Sequence, residues 1–272
     1  MSRAAALPAA VLLILVAACA TRPAPEAAPL PVPYQLIASP VDRATLSEVE
    51  RRGFDLHLRV IAALRGTDAA LAEVDLARIG ALGRIVVPYE QGLLVRFIDD
   101  KERAVVDVSV DPFSALRPYV MAHPLAESLP PRDRGMWRAL QVAMHRSAMD
   151  CSDRYHGVVI PAGKAPGSDW LVYLIAATPD PSRIMLGGHH RFRIDFEGTT
   201  IREQVPLSES CRSVQYTEAT TTLAFTASHP AEPVETEVFL NRLHGIPIEV
   251  SPSGGRGHWT IEDGRIHARA GR

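Results

Sequence analysis

Residues 170–176 read Trp-Leu-Val-Tyr-Leu-Ile-Ala, an unbroken apolar run. A strand with one wet face alternates apolar and polar side chains, because successive residues point to opposite faces. A run that is apolar at every position is expected for a central strand covered on both faces. Other runs can supply its neighbours: His156 to Pro161, His189 to Phe196 and Ile201 to Leu207. Gly187-Gly188 leads into the second of these, and Glu197-Gly198 is a tight-turn signal before the third. Within His189–Phe196, parity puts His190, Phe192, Ile194 and Phe196 on one side. His189, Arg191, Arg193 and Asp195 fall on the other.

Earlier in the chain, Arg84 to Pro88, Leu93 to Ile98 and Ala104 to Val110 are β-branched or apolar runs. Short polar turns separate them, which predicts an antiparallel meander. Further strands are expected at Thr220–Thr226, Glu235–Arg242 and Ile246–Val250. A terminal hairpin joins Gly257–Ile261 to Arg265–Ala268 through Asp263-Gly264, a strong two-residue turn.

Two segments carry helical spacing. Leu46, Val49, Gly53, Leu56, Val60 and Leu64 form a stripe after a start signal at Ser39-Pro40 with Asp42 three residues past the cap. Gly53 costs about 1 kcal/mol against Ala and marks a close crossing or a bend. Gly66 is expected to end this helix, with Thr67-Asp68 capping a short second one through Glu73. A further helix runs from about Pro130 to Ala148, with Met136, Leu140 and Met144 on one face. These elements give an α+β fold, mainly antiparallel sheet with two principal helices packed against it. The proline-dense stretch 112–131 is the best internal boundary. It divides the body into an α+β part, 39–122, and a helix plus β-rich part, 123–272; one composite domain is the equal alternative.

The amino terminus is a separate matter. Arg3 precedes an apolar run from Ala4 to Ala18, centred on Val11–Val16 and ending in small residues. This is the layout of an export signal over residues 1–18. The run is about 15 residues, short of the roughly 20 that a spanning helix needs, and Pro8 interrupts it. A soluble cleaved signal and a retained anchor are the alternatives. Removing residues 1–18 takes only Arg3 from the 29 basic residues, leaving 28 against 31 acidic. Such a balance gives no electrostatic case for nucleic acid. Lys101 and Lys164 are the only lysines.

Val16-Ala17-Ala18-Cys19 resembles the lipobox of bacterial lipoprotein precursors. The resemblance implies that Cys19 carries a thioether-linked lipid, becomes the mature amino terminus and is then acylated with a palmitate-type chain. Two or more chains make a stable membrane anchor. Ala20, where the enterobacterial sorting rule would need Asp for inner-membrane retention, implies the outer membrane with a periplasmic body. Residues 19–38 then form a lipidated, proline-rich tether. Its prolines between Ala20 and Gln35 favour extended chain, able to span up to about 45 Å. The body also resembles an uncharacterised group of Gram-negative lipoproteins, through Arg65–Ala69 and Gly187–His189. That resemblance implies an envelope location and no assigned activity.

Cys151 and Cys211 are the remaining cysteines. In an exported chain two such residues are expected to pair; two free thiols are the alternative.

No GxSxG, HExxH, Walker A or GxGxxG pattern occurs in the sequence. Ser253–Gly257 is glycine-rich but lacks the Lys-Ser/Thr ending of a phosphate loop. His189-His190 suggests a metal, yet adjacent strand residues point apart; the plainer expectation is a half-buried His190 and a solvated His189. Cys151 with His156 could form a nucleophile pair only if no disulfide forms. Asp99, Asp100 and Glu102 are expected to be solvated turn residues. No metal or cofactor is expected. The ridge His189, Arg191, Arg193, Asp195 offers two guanidinium forks to an envelope protein or an anionic partner, or is ordinary wet sheet surface. These readings describe a non-enzymatic binding or scaffold lipoprotein; an envelope hydrolase with an unrecognised site is the alternative.

Overall fold

A computed structural model describes residues 42–90, 92–146, 151–208, 210–227, 232–252 and 258–269. The export signal, Cys19, the tether, Ser39-Pro40 and the 253–257 loop lie outside these residues.

The long apolar strand does what its composition requires. Residues Arg154–Pro161, Trp170–Ala177, His190–Ile194 and Ile201–Pro206 (β5, β6, β8 and β9) form an antiparallel sheet in that order. Trp170, Val172 and Leu174 enter one core and Leu171, Tyr173 and Ile175 the other. The first core is built with the helix Pro131–Arg146 (α2), through Met136, Leu140 and Ala143. The second is built with the first helix, Arg43–Glu73 (α1), through Leu46, Leu56 and Val60, and with a third helix, Glu235–His244 (α3), through Val238, Phe239 and Leu240.

The predicted meander is present as Gly83–Tyr89, Gly92–Ile98 and Arg103–Val110 (β1–β3), and a fourth strand, Tyr119–Ser128 (β4), extends it. The proline-dense stretch expected to be a boundary therefore contains a strand. Pro124 is tolerated because β4 lies at the sheet edge. A division at residues 122 and 123 would cut through β4. One face of this sheet meets Ala62, Ala69 and Ala70 of α1; Val95, Val106, Val108 and Val110 are buried there.

Gly66 does not end α1. It is buried where the helix crosses the sheet, and a Cβ there would fall 2.9 Å from the Val95 Cβ. The expected cap at Thr67 instead bonds back along the helix, its hydroxyl donating to the Ala63 carbonyl at 2.6 Å. Gly53 marks a crossing: a Cβ there would sit 2.5 Å from the Val238 Cβ of α3.

The segment expected as a strand at Glu235–Arg242 is α3. Its start is fixed by the Glu237 carboxyl group, whose oxygen accepts the Val234 amide at 2.9 Å. Its end is fixed by Gly245 in the left-handed region at φ 66°. Helix α3 is the crossover between Leu223–Ala227 (β11) and Ile248–Pro252 (β12), which pair in parallel. The terminal hairpin His258–Glu262 and Arg265–Arg269 (β13, β14) continues that sheet in antiparallel register, turning at Asp263-Gly264. Arg183–Met185 and Ser213–Gln215 (β7, β10) pair as a small separate antiparallel ladder. The fold is α+β and mainly antiparallel. Among the described residues no helix is long and apolar enough to cross a membrane.

Candidate functional site

The sheet face carrying Arg191 and Arg193 is half covered by α1 and α3. Strand parity holds: Phe192 and Ile194 are fully buried in the α2 core, and the arginines lie on the opposite face. The four residues read as a polar ridge nevertheless do not form one. His189 is 1% exposed, not solvated, and its Nδ1 accepts the Ala176 amide at 3.1 Å. Burial lowers its pKa to about 4, so the imidazole is neutral at physiological pH. Asp195, 7% exposed, accepts the Thr199 and Thr200 amides and so closes the turn into β9. Only Arg193 stands in solvent, paired with Asp169 at 2.7 Å.

Arg191 points inward. Its Nη1 donates to Glu235 Oε1 at 2.9 Å. The same oxygen accepts Arg52 Nη1 and the Tyr173 hydroxyl, each at 3.2 Å. Glu235 is the first residue of α3 and is almost fully buried. It reaches this position because Gly53 lets α3 lie directly on α1, with the Glu235 carbonyl 2.8 Å from where a Gly53 Cβ would be. Burial, and then the neighbouring carboxylate, raise the Tyr173 pKa well above the ordinary phenol range. Tyr173 therefore stays a donor.

From this buried cluster the charges run outward along α1. Arg52 also donates to Glu48, and Glu48 accepts Arg51 through both Nε (2.8 Å) and Nη2 (2.7 Å). Glu48 and Arg51 open into a cleft of about 580 Å³. Its other walls are Arg132 in the first turn of α2, Lys164 in the loop 162–169, and the Trp170–Phe196 pair. Those two rings stack at 5.8 Å between centroids, and the Arg132 guanidinium lies 5.7 Å over Trp170. Trp170 Nε1 donates to the Phe196 carbonyl at 2.8 Å. Gly135 allows α2 to approach that carbonyl, since a Cβ at residue 135 would fall 2.1 Å from it.

The cysteines expected to pair do so: Cys151 and Cys211 are bonded, with Cα atoms 4.9 Å apart. The bridge removes Cys151 as a nucleophile partner for His156. The acidic turn is also not simply solvated. Asp99 is buried and accepts the Lys101 and Arg103 amides and the Arg103 side chain. Burial would raise its pKa, but these bonds hold it below the usual range. Glu102 is paired with Arg138 at 2.6 Å. Among the described residues no group of three or more His, Cys, Asp or Glu is placed to hold a metal ion.

Arg51, Arg132 and Lys164 were not singled out by sequence reasoning. The available signal was the loop Ala162-Gly-Lys-Ala-Pro-Gly, which carries one of only two lysines between two apolar strands. Comparison with protein-family models, with curated proteins and with solved structures finds no match for this chain.

Proposed function

We propose that this chain is an envelope lipoprotein, held to the outer membrane through lipid on Cys19, whose body acts in the periplasm as a binding or scaffold protein and not as an enzyme. The observation that carries the location is the Cys151–Cys211 bridge. Structural disulfides persist in oxidising compartments and are rare in the cytosol. An export signal ending in Val16-Ala17-Ala18-Cys19 is the sequence counterpart of that requirement. Binding is supported by a cleft whose walls come from α1, α2 and a hairpin loop. Three of its charged groups, Glu48, Arg51 and Arg132, stand on packed helices, which hold them in place for a partner.

The test is metabolic labelling with radioactive palmitate, followed by membrane fractionation. Wild-type protein is expected to take up label, to sediment with outer membranes and to accumulate as a precursor under globomycin. Cys19→Ser should lose label and maturation. A Cys19→Ser chain that is processed and fractionates as the wild type does would overturn the proposal.

A further inference from the structure

The cleft between α1, α2 and the 162–169 loop carries more positive charge than its own carboxylate neutralises. Glu48 is the one carboxylate in its lining among the described residues, and it already accepts three bonds, two from Arg51 and one from Arg52. Arg132 and Lys164 make no hydrogen bond or salt bridge among the described residues; Arg132 rests on the face of Trp170. Arg132 has the like charge of buried Arg59 of α1 on one side, whose carboxylate partner is Asp55, and the Asp133 carboxylate next to it in the chain, which is itself bonded to Arg96. Arg132 stands at the second position of a 16-residue helix, so the positive end of that helix dipole lies at the same place.

Like charges gathered from separate elements repel unless an anion joins them. We infer that this cleft binds a phosphate group carried on a small molecule or a lipid headgroup. The number and origin of the cations favour phosphate over carboxylate. A carboxylate is planar, and one guanidinium fork satisfies both of its oxygens. Three cations arriving from α1, α2 and a loop suit a tetrahedral anion that presents oxygens in several directions. Pro161, Pro166 and Phe196 add an apolar wall beside the charges, which suits a phosphate ester better than the bare ion. The loop that carries Lys164 is held at its base. The Ala162 amide donates to the Asp169 carbonyl at 2.8 Å, and the Asp169 side chain is fixed by Arg193.

This inference refines the binding role proposed above. Its test uses purified protein, so it succeeds or fails independently of where the chain is anchored. The full chain carrying Cys19→Ser, which has no site for lipid, is titrated with inorganic pyrophosphate by calorimetry. It is also mixed with phosphatidylcholine vesicles with and without phosphatidylglycerol. Saturable binding to at least one phosphate probe is expected, weakening as salt is added. Arg132→Gln with Lys164→Gln should weaken it at least tenfold while the melting temperature holds, because both side chains are exposed and make no salt bridge among the described residues. Arg154→Gln, an exposed arginine at the end of β5 opposite Pro161 and outside the cleft lining, should bind as the parent does. Pyrophosphate binding alone would assign a soluble phosphate ligand. Binding dependent on phosphatidylglycerol, and lost in the double variant, would assign a headgroup. The inference is overturned if neither probe binds saturably, if the double variant binds like the parent, or if Arg154→Gln loses as much as the double variant does.

Discussion

The Glu50 carboxylate, in the first third of the chain, accepts the backbone amide of Ile266 at 2.9 Å. That bond, with the Arg43 bond to the Ile266 carbonyl, ties the first helix to the last strand. Arg43 and Arg265 bond to the same carboxylate, but both guanidinium groups are largely exposed, and exposed pairs contribute only about 0–1 kcal/mol. The buried amide decides the energetics. Glu50→Ala would leave it without an acceptor and should cost about 2 kcal/mol in urea unfolding. Glu50→Gln keeps an acceptor and should cost roughly half as much or less. Equal costs for the two variants would mean that charge, not the Ile266 bond, holds the hairpin.

The Cys151–Cys211 bridge spans 60 residues of sequence and so restricts a long stretch of the unfolded chain. On the loop-entropy model a closed loop of that size stabilises by about 4 kcal/mol. Cys151→Ser with Cys211→Ser should lower unfolding stability by an amount of that order. Thiol titration of denatured, unreduced protein should find neither residue reactive. Two reactive thiols would show that the bridge is absent in the isolated protein.

The fold was most legible where one signal needed no partner. The all-apolar Trp170–Ala176 run, the heptad-like stripe of α1 and the Asp263-Gly264 turn each dictate a local structure. Errors arose where tertiary context outweighed the local pattern. Gly66 looks like a helix stop but serves as a crossing point against Val95. Val238-Phe239-Leu240 looks like a strand, although Glu237 and Gly245 cap it as a helix. That error produced the next one. With α3 taken as a strand, nothing was available to cover Arg191, and the ridge appeared open to solvent. The cleft was less legible still, because Arg51, Arg132 and Lys164 lie far apart in sequence and meet only through the packing of α1 and α2 about the sheet.

Glu237 gives a pH signature. Burial pushes its carboxyl up to about 8, against the pull of the Val234 amide, from an unfolded value near 4.5. Between those values the folded chain holds a proton that the unfolded chain has released. Stability from this group therefore falls as pH rises, by up to about 1.4 kcal/mol per pH unit. His189 acts in the opposite sense. Its folded pKa is about 4 against 6.5 unfolded, so its contribution is lost as pH falls through that range. The Glu237 effect is isolated by comparing wild type with Glu237→Gln, which retains an acceptor for Val234. Relative to wild type, the variant should be about 2 kcal/mol more stable at pH 7 than at pH 5. A difference that does not change with pH would mean Glu237 is ionised in the folded protein.

Arg191 and Arg193 are two residues apart on one strand face, yet the structure gives them different roles. Arg193 is 51% exposed and meets Asp169 at the surface. Arg193→Ser should therefore change stability by less than about 1 kcal/mol. Arg191 is 22% exposed, and its partner Glu235 is 2% exposed. Removing Arg191 leaves that buried carboxylate with Arg52 and the Tyr173 hydroxyl alone. Breaking a buried pair from one side costs about 3 kcal/mol or more, because the remaining charge stays desolvated. Because Arg52 and Tyr173 still bond Glu235, Arg191→Ser should show part of that loss, about 2 kcal/mol, in urea unfolding. Adding Glu235→Gln to Arg191→Ser should recover part of it, since a neutral amide needs less compensation than a carboxylate. Tyr173→Phe should cost only about 1 kcal/mol, because two guanidinium groups still neutralise Glu235. If Arg191→Ser and Arg193→Ser were equally mild, Arg191 would be a solvated residue and α3 would not seal this face of the sheet.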